Sequence, residues 1–89
     1  MLKLMSPPQC RGARALLDMT QPQLASLADI GLSTVVDFER QRRSVSGEAI
    51  RKMQSALETA GILFIHENGE GARVRLRKPG PEKPEKQKV

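Results

Sequence analysis

The amino-acid sequence predicts a mainly α-helical domain of four short helices, followed by a β-hairpin and a disordered C-terminal tail. Three observations lead to this fold class. Helix-start signals recur along the first half of the chain, and apolar residues step there by three and four positions. After Gly61 the pattern changes to β-branched and alternating residues. These changes divide the chain into a helical domain at 1–61, a hairpin at 62–78 and a tail at 79–89.

Two helix starts are marked by a capping residue followed closely by proline. SPP at 6–8 predicts a first helix near 7–18, and TQPQ at 20–23 predicts a second helix that ends near Asp29. In both, the Ser or Thr side chain can accept a hydrogen bond from a backbone amide of the first turn. Proline is tolerated in that turn because the amide hydrogen that it lacks would have no partner within the helix. The last glutamine of TQPQ can also reach back to the threonine, which predicts a capping box.

A glycine and a serine precede two further helices. Gly31 permits the sharp turn before a third helix near 32–40, and it can serve as the N-cap of that helix. Ser46 can cap a fourth helix, and Gly61 suits the position just past its end. Apolar residues at helical spacing predict a common core. The predicted core residues are Leu24, Leu27, Val35, Phe38, Ile50, Met53 and Leu57.

The residues after the fourth helix have the pattern of a β-hairpin. ILFIH at 62–66 is apolar, RVRLR at 73–77 alternates strictly, and an Asn-Gly pair between them favours a tight turn. ILFI carries apolar residues on both strand faces, more than a two-stranded hairpin can cover. We therefore predict a homodimer, with the hairpin or the fourth helix at the interface. Residues 79–89 are rich in proline and charge, which predicts disorder.

Composition argues against several classes of protein. Cys10 is the only cysteine, which rules out an internal disulfide and a cysteine-based zinc site. No group of residues suits acid–base or nucleophilic catalysis, and His66 has no second metal ligand near it in sequence. We predict no enzyme activity, no metal, no cofactor and no small-molecule ligand. Neither a long apolar run nor a secretory signal is present, which predicts a cytoplasmic protein without a membrane partner.

The basic residues flank a central segment that has none. The net charge of +5 is compatible with a polyanionic partner but does not require one. No Lys or Arg occurs from Ala15 to Glu39. If this segment meets a nucleic acid, its flanks must attract the phosphates. The basic residues of the flanks are Arg11, Arg14, Arg40, Arg42, Arg43, Arg51, Lys52, Arg73, Arg75, Arg77 and Lys78.

The second and third helices have the spacing of a helix-turn-helix unit. They are short and amphipathic, and about three or four residues separate them. In such a unit the second helix can enter the major groove of DNA while the first crosses the backbone. The spacing alone does not establish DNA binding, because any small helical bundle contains similar helix pairs.

A family resemblance adds to this spacing. The stretch RALLDMTQPQLASLADIGLSTVVDFERQRR resembles the helix-turn-helix domains of the Cro and lambda-repressor type, the XRE family, and the resemblance covers residues 9–60. The matching positions are Thr-Gln-x-x-Leu-Ala at 20–25, Ser-Thr-Val at 33–35 and Phe-Glu-Arg at 38–40. The hairpin and its VRLRK ending are similar to a subgroup of small regulators from rhizobia and related bacteria. The resemblance implies a four-helix, lambda-repressor-like fold.

The resemblance also implies roles for particular residues. The exposed side of the third helix would read bases: Ser and Thr can hydrogen-bond, Leu and Val can touch thymine methyls, and Asp can accept from cytosine. These base-reading residues are Leu32, Ser33, Thr34, Val36 and Asp37. The residues implied as phosphate contacts are Gln21, Arg40, Arg42 and Arg43. Arg14 and Glu39 occupy the positions of a structural ion pair between the first and third helices.

Three positions depart from the family pattern. Asp29 and Gln41 stand where the family commonly has glycine, before and after the third helix, and Gly31 replaces its usual Ser or Thr cap. The base-reading side also lacks Arg, Lys, Asn and Gln on its leading turns, the residues that make bidentate base contacts. Sequence preference is therefore expected to come partly from methyl contacts and from DNA shape.

The expected function is binding of double-stranded DNA at specific sequences. The chain would be a nucleoid-associated transcriptional regulator, a repressor or autoregulator, that binds a two-fold symmetric operator as a homodimer. The alternative is a helix-turn-helix module that binds another protein, as an antiactivator or an antitoxin. The acidic residues between positions 18 and 39, together with the weak base-reading set, favour that alternative.

Overall fold

Four helices and two strands follow one another in the predicted order. The computed structural model describes residues 4–66 and 72–77. Its elements are α1 Pro7–Leu17, α2 Gln21–Ala28, α3 Leu32–Arg40, α4 Gly47–Thr59, β1 Ile62–Ile65 and β2 Arg73–Leu76. The prediction of a mainly helical fold with a hairpin after the helices is confirmed. The predicted Asn-Gly turn and the predicted disordered tail lie outside the described residues.

Capping boxes begin the first two helices. The Ser6 hydroxyl accepts from the Gln9 amide at 3.2 Å, and the Gln9 side chain accepts from the Ser6 amide at 2.9 Å. Thr20 and Gln23 form the same reciprocal pair at 3.1 and 2.8 Å, as predicted. Each box satisfies two backbone donors that have no partner within the helix. The beginnings of α1 and α2 are therefore fixed by local sequence.

Three helices end at a residue in the left-handed region. Asp18, Asp29 and Gln41 have φ angles of 56°, 59° and 56°, and each amide bonds back to carbonyls of the last helical turn. Residues other than glycine are disfavoured in this region, although Asp adopts it more readily than most. The first two helices each end one residue before the predicted position, α1 at Leu17 and α2 at Ala28.

The buried core lies where the four helices meet the hairpin. Leu27, predicted to belong to it, is 60% exposed. That prediction is wrong because α2 turns Leu24, Ala25 and Ala28 inward, and a rotation of about 100° per residue places Leu27 on the flank of their stripe. Ile50 is half-buried against the core. The buried apolar residues are Met5, Cys10, Ala13, Leu24, Ala25, Ala28, Val35, Phe38, Met53, Leu57 and Ile62.

One face of the hairpin packs on the helices. β1 and β2 are antiparallel, with Phe64 opposite Val74, and both of these side chains pack against the core. α1 lies against β2, and α4 lies against β1. The Gln9 side chain ties α1 to both strands by donating to the carbonyls of Ile65 and Arg73 at 3.3 and 3.0 Å. The hairpin is therefore part of the same packed unit as the helices.

Candidate nucleic-acid interface

α3 presents one face to the core and the other to the surroundings. Its nine residues turn Val35, Phe38 and Glu39 inward, where each is at most 7% exposed. The 3.6-residue period then places the five predicted base-reading residues outside the core. Leu32 and Ser33 are exposed, and the other three are half-buried at the edges of the helix. These last three are Thr34, Val36 and Asp37.

The turn between α2 and α3 has the tight form that a helix-turn-helix unit needs. Only Asp29, Ile30 and Gly31 separate the two helices, which pack against each other. The Ile30 amide donates to the Ala25 carbonyl at 3.0 Å, and this bond closes the end of α2. Gly31 is the N-cap of α3 and provides no side-chain hydrogen bond. The start of α3 is thus held by packing and by the turn.

The two departures from the family's glycines coincide with two of the left-handed residues. Asp29 and Gln41 take the backbone conformation that glycine would favour, at φ of 59° and 56°. The turn before α3 and the exit after it therefore reach the left-handed conformation without glycine. The consequence is local backbone strain, which is greater at Gln41 because its side chain lacks the short polar group of Asp.

Glu39 anchors α3 to the rest of the domain. Its buried carboxylate accepts two hydrogen bonds from Arg14, Nε to Oε2 and Nη2 to Oε1, both at 2.7 Å. The Gln21 side chain donates to Oε1 at 3.0 Å, and the Cys10 thiol donates to Oε2 at 3.1 Å. Arg14 also donates to the Met19 carbonyl at 2.9 Å. The ion pair that the resemblance implies is present, as the centre of a larger network that joins α1, α2 and α3.

Burial and hydrogen bonding act against each other on the groups of this network. Burial alone would raise the pKa of Glu39, but the hydrogen bonds from Arg14, Cys10 and Gln21 outweigh it and hold that pKa below its usual value. The hydrogen bond to Glu39 raises the pKa of Arg14. Burial, together with the neighbouring Glu39 carboxylate, raises the pKa of the Cys10 thiol well above its usual value. The network therefore contains one carboxylate, one guanidinium and one neutral thiol.

Gln21 links the start of α2 to the Glu39 network. The resemblance implies that its side chain and the amides at the helix N-terminus contact a phosphate, and the side-chain amide nitrogen donates one hydrogen bond to Glu39 inside the domain. The residue is half-buried at the start of α2, beside an open groove of about 580 Å³. The side-chain nitrogen carries two hydrogens, so one donor remains beside the bond to Glu39, and the backbone amide at the helix N-terminus offers a phosphate another.

The three arginines at the end of α3 are exposed, and two of them face Asp37. Arg43 Nε lies 2.7 Å from Asp37 Oδ2, and Arg42 Nη1 lies 3.9 Å from Asp37 Oδ1. The side chains of Arg42 and Arg43 are 57% and 53% exposed, whereas that of Asp37 is 18% exposed. Within residues 4–66 and 72–77, Arg40 takes part in no ion pair. Arg40 therefore has the least committed charge of the three.

Arg11, one of the flanking basic residues, is a member of this surface to which the resemblance assigns no phosphate contact. Its Nη1 donates to the backbone carbonyl of Glu39, and its side chain lines the same groove as Arg40 and Gln21. The signal was its position three residues before Arg14, since residues at this spacing share a helix face. The groove therefore combines two exposed arginines with the N-terminus of α2.

The described residues form neither a metal-binding cluster nor a membrane-spanning helix. Among residues 4–66 and 72–77, no three His, Cys, Asp or Glu side chains come together in a group that could hold a metal ion. No helix in the described part of the chain is both long enough and apolar enough to cross a membrane. Comparison with protein-family models gives no match, and comparison with curated proteins gives none either.

Proposed function

We propose that this chain is a sequence-specific DNA-binding transcriptional regulator of the XRE type, a repressor or autoregulator that acts in the nucleoid. One observation carries the proposal: α3 is anchored by its inner face, and its outer face carries hydrogen-bonding and methyl-bearing side chains beside exposed arginines. This combination suits a helix that lies in the major groove with cations at its end, because phosphate contacts position a protein and base contacts specify the sequence.

The chemistry of each outer residue fits a step of DNA binding. Arg40, together with Arg11 across the groove, would attract phosphates and set the register of the protein on the duplex. Ser33 and Thr34 can donate to or accept from base edges. Leu32, which is 45% exposed, offers methyl groups that fit against thymine. None of the base-reading side chains Leu32, Ser33 and Thr34 is of a type that makes bidentate base contacts, so DNA shape supplies part of the sequence preference.

A homodimer would double these contacts. The hairpin supports this part of the proposal, because a two-stranded sheet has two open edges and its exposed residues include Leu63 and Leu76 at 38% and 47%. Two α3 helices placed about 34 Å apart would meet a two-fold symmetric operator. Sedimentation equilibrium at tens of micromolar tests the dimer, and a single monomeric species at that concentration would contradict it.

The test of DNA binding is a titration with two labelled duplexes. One carries the DNA upstream of the gene for this chain and the other a random sequence, and each is titrated at two salt concentrations. The label belongs on the DNA because the protein has no Trp or Tyr. We expect tighter binding to the upstream duplex and a linear fall of log affinity with log salt. No binding to either duplex at low salt would contradict the proposal.

A pair of double variants assigns the phosphate contacts. Replacing Arg42 and Arg43 by Ala should weaken binding to both duplexes alike and reduce the salt slope by up to about two units. The matched control replaces Arg51 and Lys52, two exposed cations on α4, and should leave the slope nearly unchanged. An unchanged slope in the first variant would show that these arginines do not contact phosphates.

A second candidate is a module that binds another protein. Its support is an open groove of about 680 Å³ between α2 and α4, where Leu27 is 60% exposed. Exposed apolar surface of this kind suits a protein partner. A Leu27→Ser variant separates the two functions, since it should leave DNA binding intact. Loss of DNA binding in that folded variant would place Leu27 in the DNA-binding dimer and remove the support for this candidate.

A further inference from the structure

The carboxylate of Asp37 already occupies the arginines that would meet phosphates. Its Oδ2 lies 2.7 Å from Arg43 Nε and its Oδ1 lies 3.9 Å from Arg42 Nη1, so each oxygen faces one guanidinium group. A guanidinium group binds carboxylate and phosphate with the same planar set of donors. A phosphate that approaches these two arginines must therefore displace the carboxylate or share its partners.

The backbone holds this arrangement in place. After the left-handed residue Gln41, the Arg42 amide donates to the Asp37 carbonyl at 2.9 Å. This bond turns the chain back over the last turn of α3, and Arg43 also donates to the Ser44 carbonyl at 3.3 Å. The exit of α3 therefore brings the two arginines close to Asp37, while their exposed side chains stay able to exchange this carboxylate for another partner.

The position of Asp37 in the helix gives a second reason to look beyond local stability. It lies in the last turn of α3, where the negative end of the helix dipole disfavours a carboxylate. The Arg43 guanidinium compensates for that repulsion while the protein is free. Negative charge beside the outer face of α3 also repels DNA. The charge of Asp37 thus destabilises the C-terminal end of its own helix and also repels an approaching phosphate.

We propose that Asp37 is an internal competitor of phosphate, which occupies Arg42 and Arg43 in the free protein and so weakens binding to DNA of any sequence. This inference rests on the proposed function. It replaces the expected role of Asp37 as an acceptor from cytosine, because the carboxylate oxygens face guanidinium groups. The competition involves phosphates alone and is therefore independent of base sequence.

The test is an Asp37→Asn variant titrated with two labelled duplexes about two helical turns long. One duplex has a random sequence. The other is the sequence that the wild-type protein binds most tightly when it selects from a pool of random duplexes. The variant should bind both about fivefold more tightly, in line with the worth of an exposed ion pair. Its salt slope should be steeper by about one unit, because one more guanidinium is available to neutralise a phosphate.

Two further variants give the result its meaning. Glu58→Gln changes the net charge equally on α4, away from α3, and should change affinity by less than about twofold. In an Arg43→Ala background, Asp37→Asn should lose most of its effect, because the guanidinium that it releases is gone. Thermal unfolding followed by circular dichroism checks that each variant is folded.

Three outcomes would overturn the inference, and they differ in whether the proposed function is also contradicted. Weaker binding of Asp37→Asn to the selected duplex alone would make Asp37 a base-reading residue, with the proposed function intact. An equal gain in Glu58→Gln would reduce the effect to net charge, again with the proposed function intact. Failure of the wild-type protein to bind any duplex at low salt would remove the proposed function and this inference together.

Discussion

The two faces of α3 use the same chemical group in opposite ways. On the inner face, the Glu39 carboxylate is 2% exposed and accepts four hydrogen bonds from three side chains. On the outer face, the Asp37 carboxylate faces two arginine side chains that are more than half exposed. Water weakens the outer pair and is excluded from the inner one. Glu39 is thus a fixed part of the fold, whereas Asp37 has exchangeable partners.

The difference has a consequence for how the domain could change its specificity. Because the inner face alone anchors α3, the side chains of the outer face can be substituted at little cost to stability. Such surface substitutions usually change the free energy of unfolding by less than about 0.5 kcal/mol. A buried charged network is more sensitive, since removal of Arg14 or Glu39 leaves the other charge without its opposite partner.

The largest expected difference between the faces is in cysteine reactivity. Cys10 is fully buried and donates to Glu39, and burial raises the pKa of its thiol, whereas the thiolate is the reactive form. A disulfide reagent followed by absorbance should modify it at least about a thousandfold more slowly than in the urea-unfolded protein, since the domain must first open. A Cys10→Ala, Ser33→Cys variant carries the thiol on the outer face instead and should react at nearly the unfolded rate. Equal rates at the two positions would mean that the inner face is open to solvent.

The next largest effect is on stability. Glu39→Ala leaves the Arg14 guanidinium without its carboxylate, and we expect the free energy of unfolding to fall by about 3 kcal/mol or more. Ser33→Ala on the outer face should change it by less than about 0.5 kcal/mol. Urea unfolding followed by circular dichroism measures both. An Arg14→Met, Glu39→Met double variant should lose less than Glu39→Ala, because no charge remains buried alone. Similar losses in Glu39→Ala and Ser33→Ala would remove the distinction between the faces.

The inner carboxylate should also make stability depend on pH. The pKa of Glu39 in the folded protein is lowered, so the carboxylate contributes stability that is complete above its unfolded pKa of about 4.3. This contribution is lost as the pH falls through the folded pKa. Urea unfolding measured between about pH 6 and pH 3 should therefore give a flatter profile for Glu39→Gln than for the wild-type protein. Parallel profiles would mean that other carboxylates carry the acid sensitivity.

Local signals in the sequence predict the elements well, and contacts between elements poorly. The caps at Ser6, Thr20 and Ser46 act within one helical turn, so a short stretch contains all the information they need. The resemblance supplied the Arg14–Glu39 pair, which periodicity alone could not. The position of the Gln21 side chain depends on a carboxylate 18 residues away on another helix, which no local pattern encodes.

The contacts on the outer face of α3 could not be predicted from the sequence for a different reason. The pairing of Asp37 with Arg43 spans six residues and depends on the left-handed conformation of Gln41, which brings the chain back over the helix. Glycine is the residue typical of that conformation, so the only signal at Gln41 was that the resembling family commonly has glycine there, and the residue itself gave none. The exposure of Leu27 was also missed. Its spacing of three from Leu24 fits a core stripe, but α2 turns Leu24, Ala25 and Ala28 toward the core and leaves Leu27 beside them.

The smallest expected effect concerns Gln41, where the inner face ends and the outer arginines begin. At φ of 56° its side chain is disfavoured by roughly 1–2 kcal/mol, and glycine would relieve this at an entropic cost of roughly 0.5–1 kcal/mol. Gln41→Gly should therefore stabilise the domain by about 0.5 kcal/mol, while Gln41→Ala should not stabilise it. Asp29→Gly should gain less, because Asp accepts this conformation more readily.

The same variant tests whether the exit of α3 serves the fold or the arginines. The amides of Gln41 and Arg42 donate to Phe38 and Asp37, and glycine keeps both of these bonds. The arginines should then hold their positions, and affinity for DNA should change by less than about twofold even though stability rises. Thermal unfolding and the labelled-duplex titration together measure this. A gain in stability with a large loss of DNA affinity would instead mean that the glutamine side chain, or the restricted backbone at this position, holds Arg42 and Arg43 in place for phosphate.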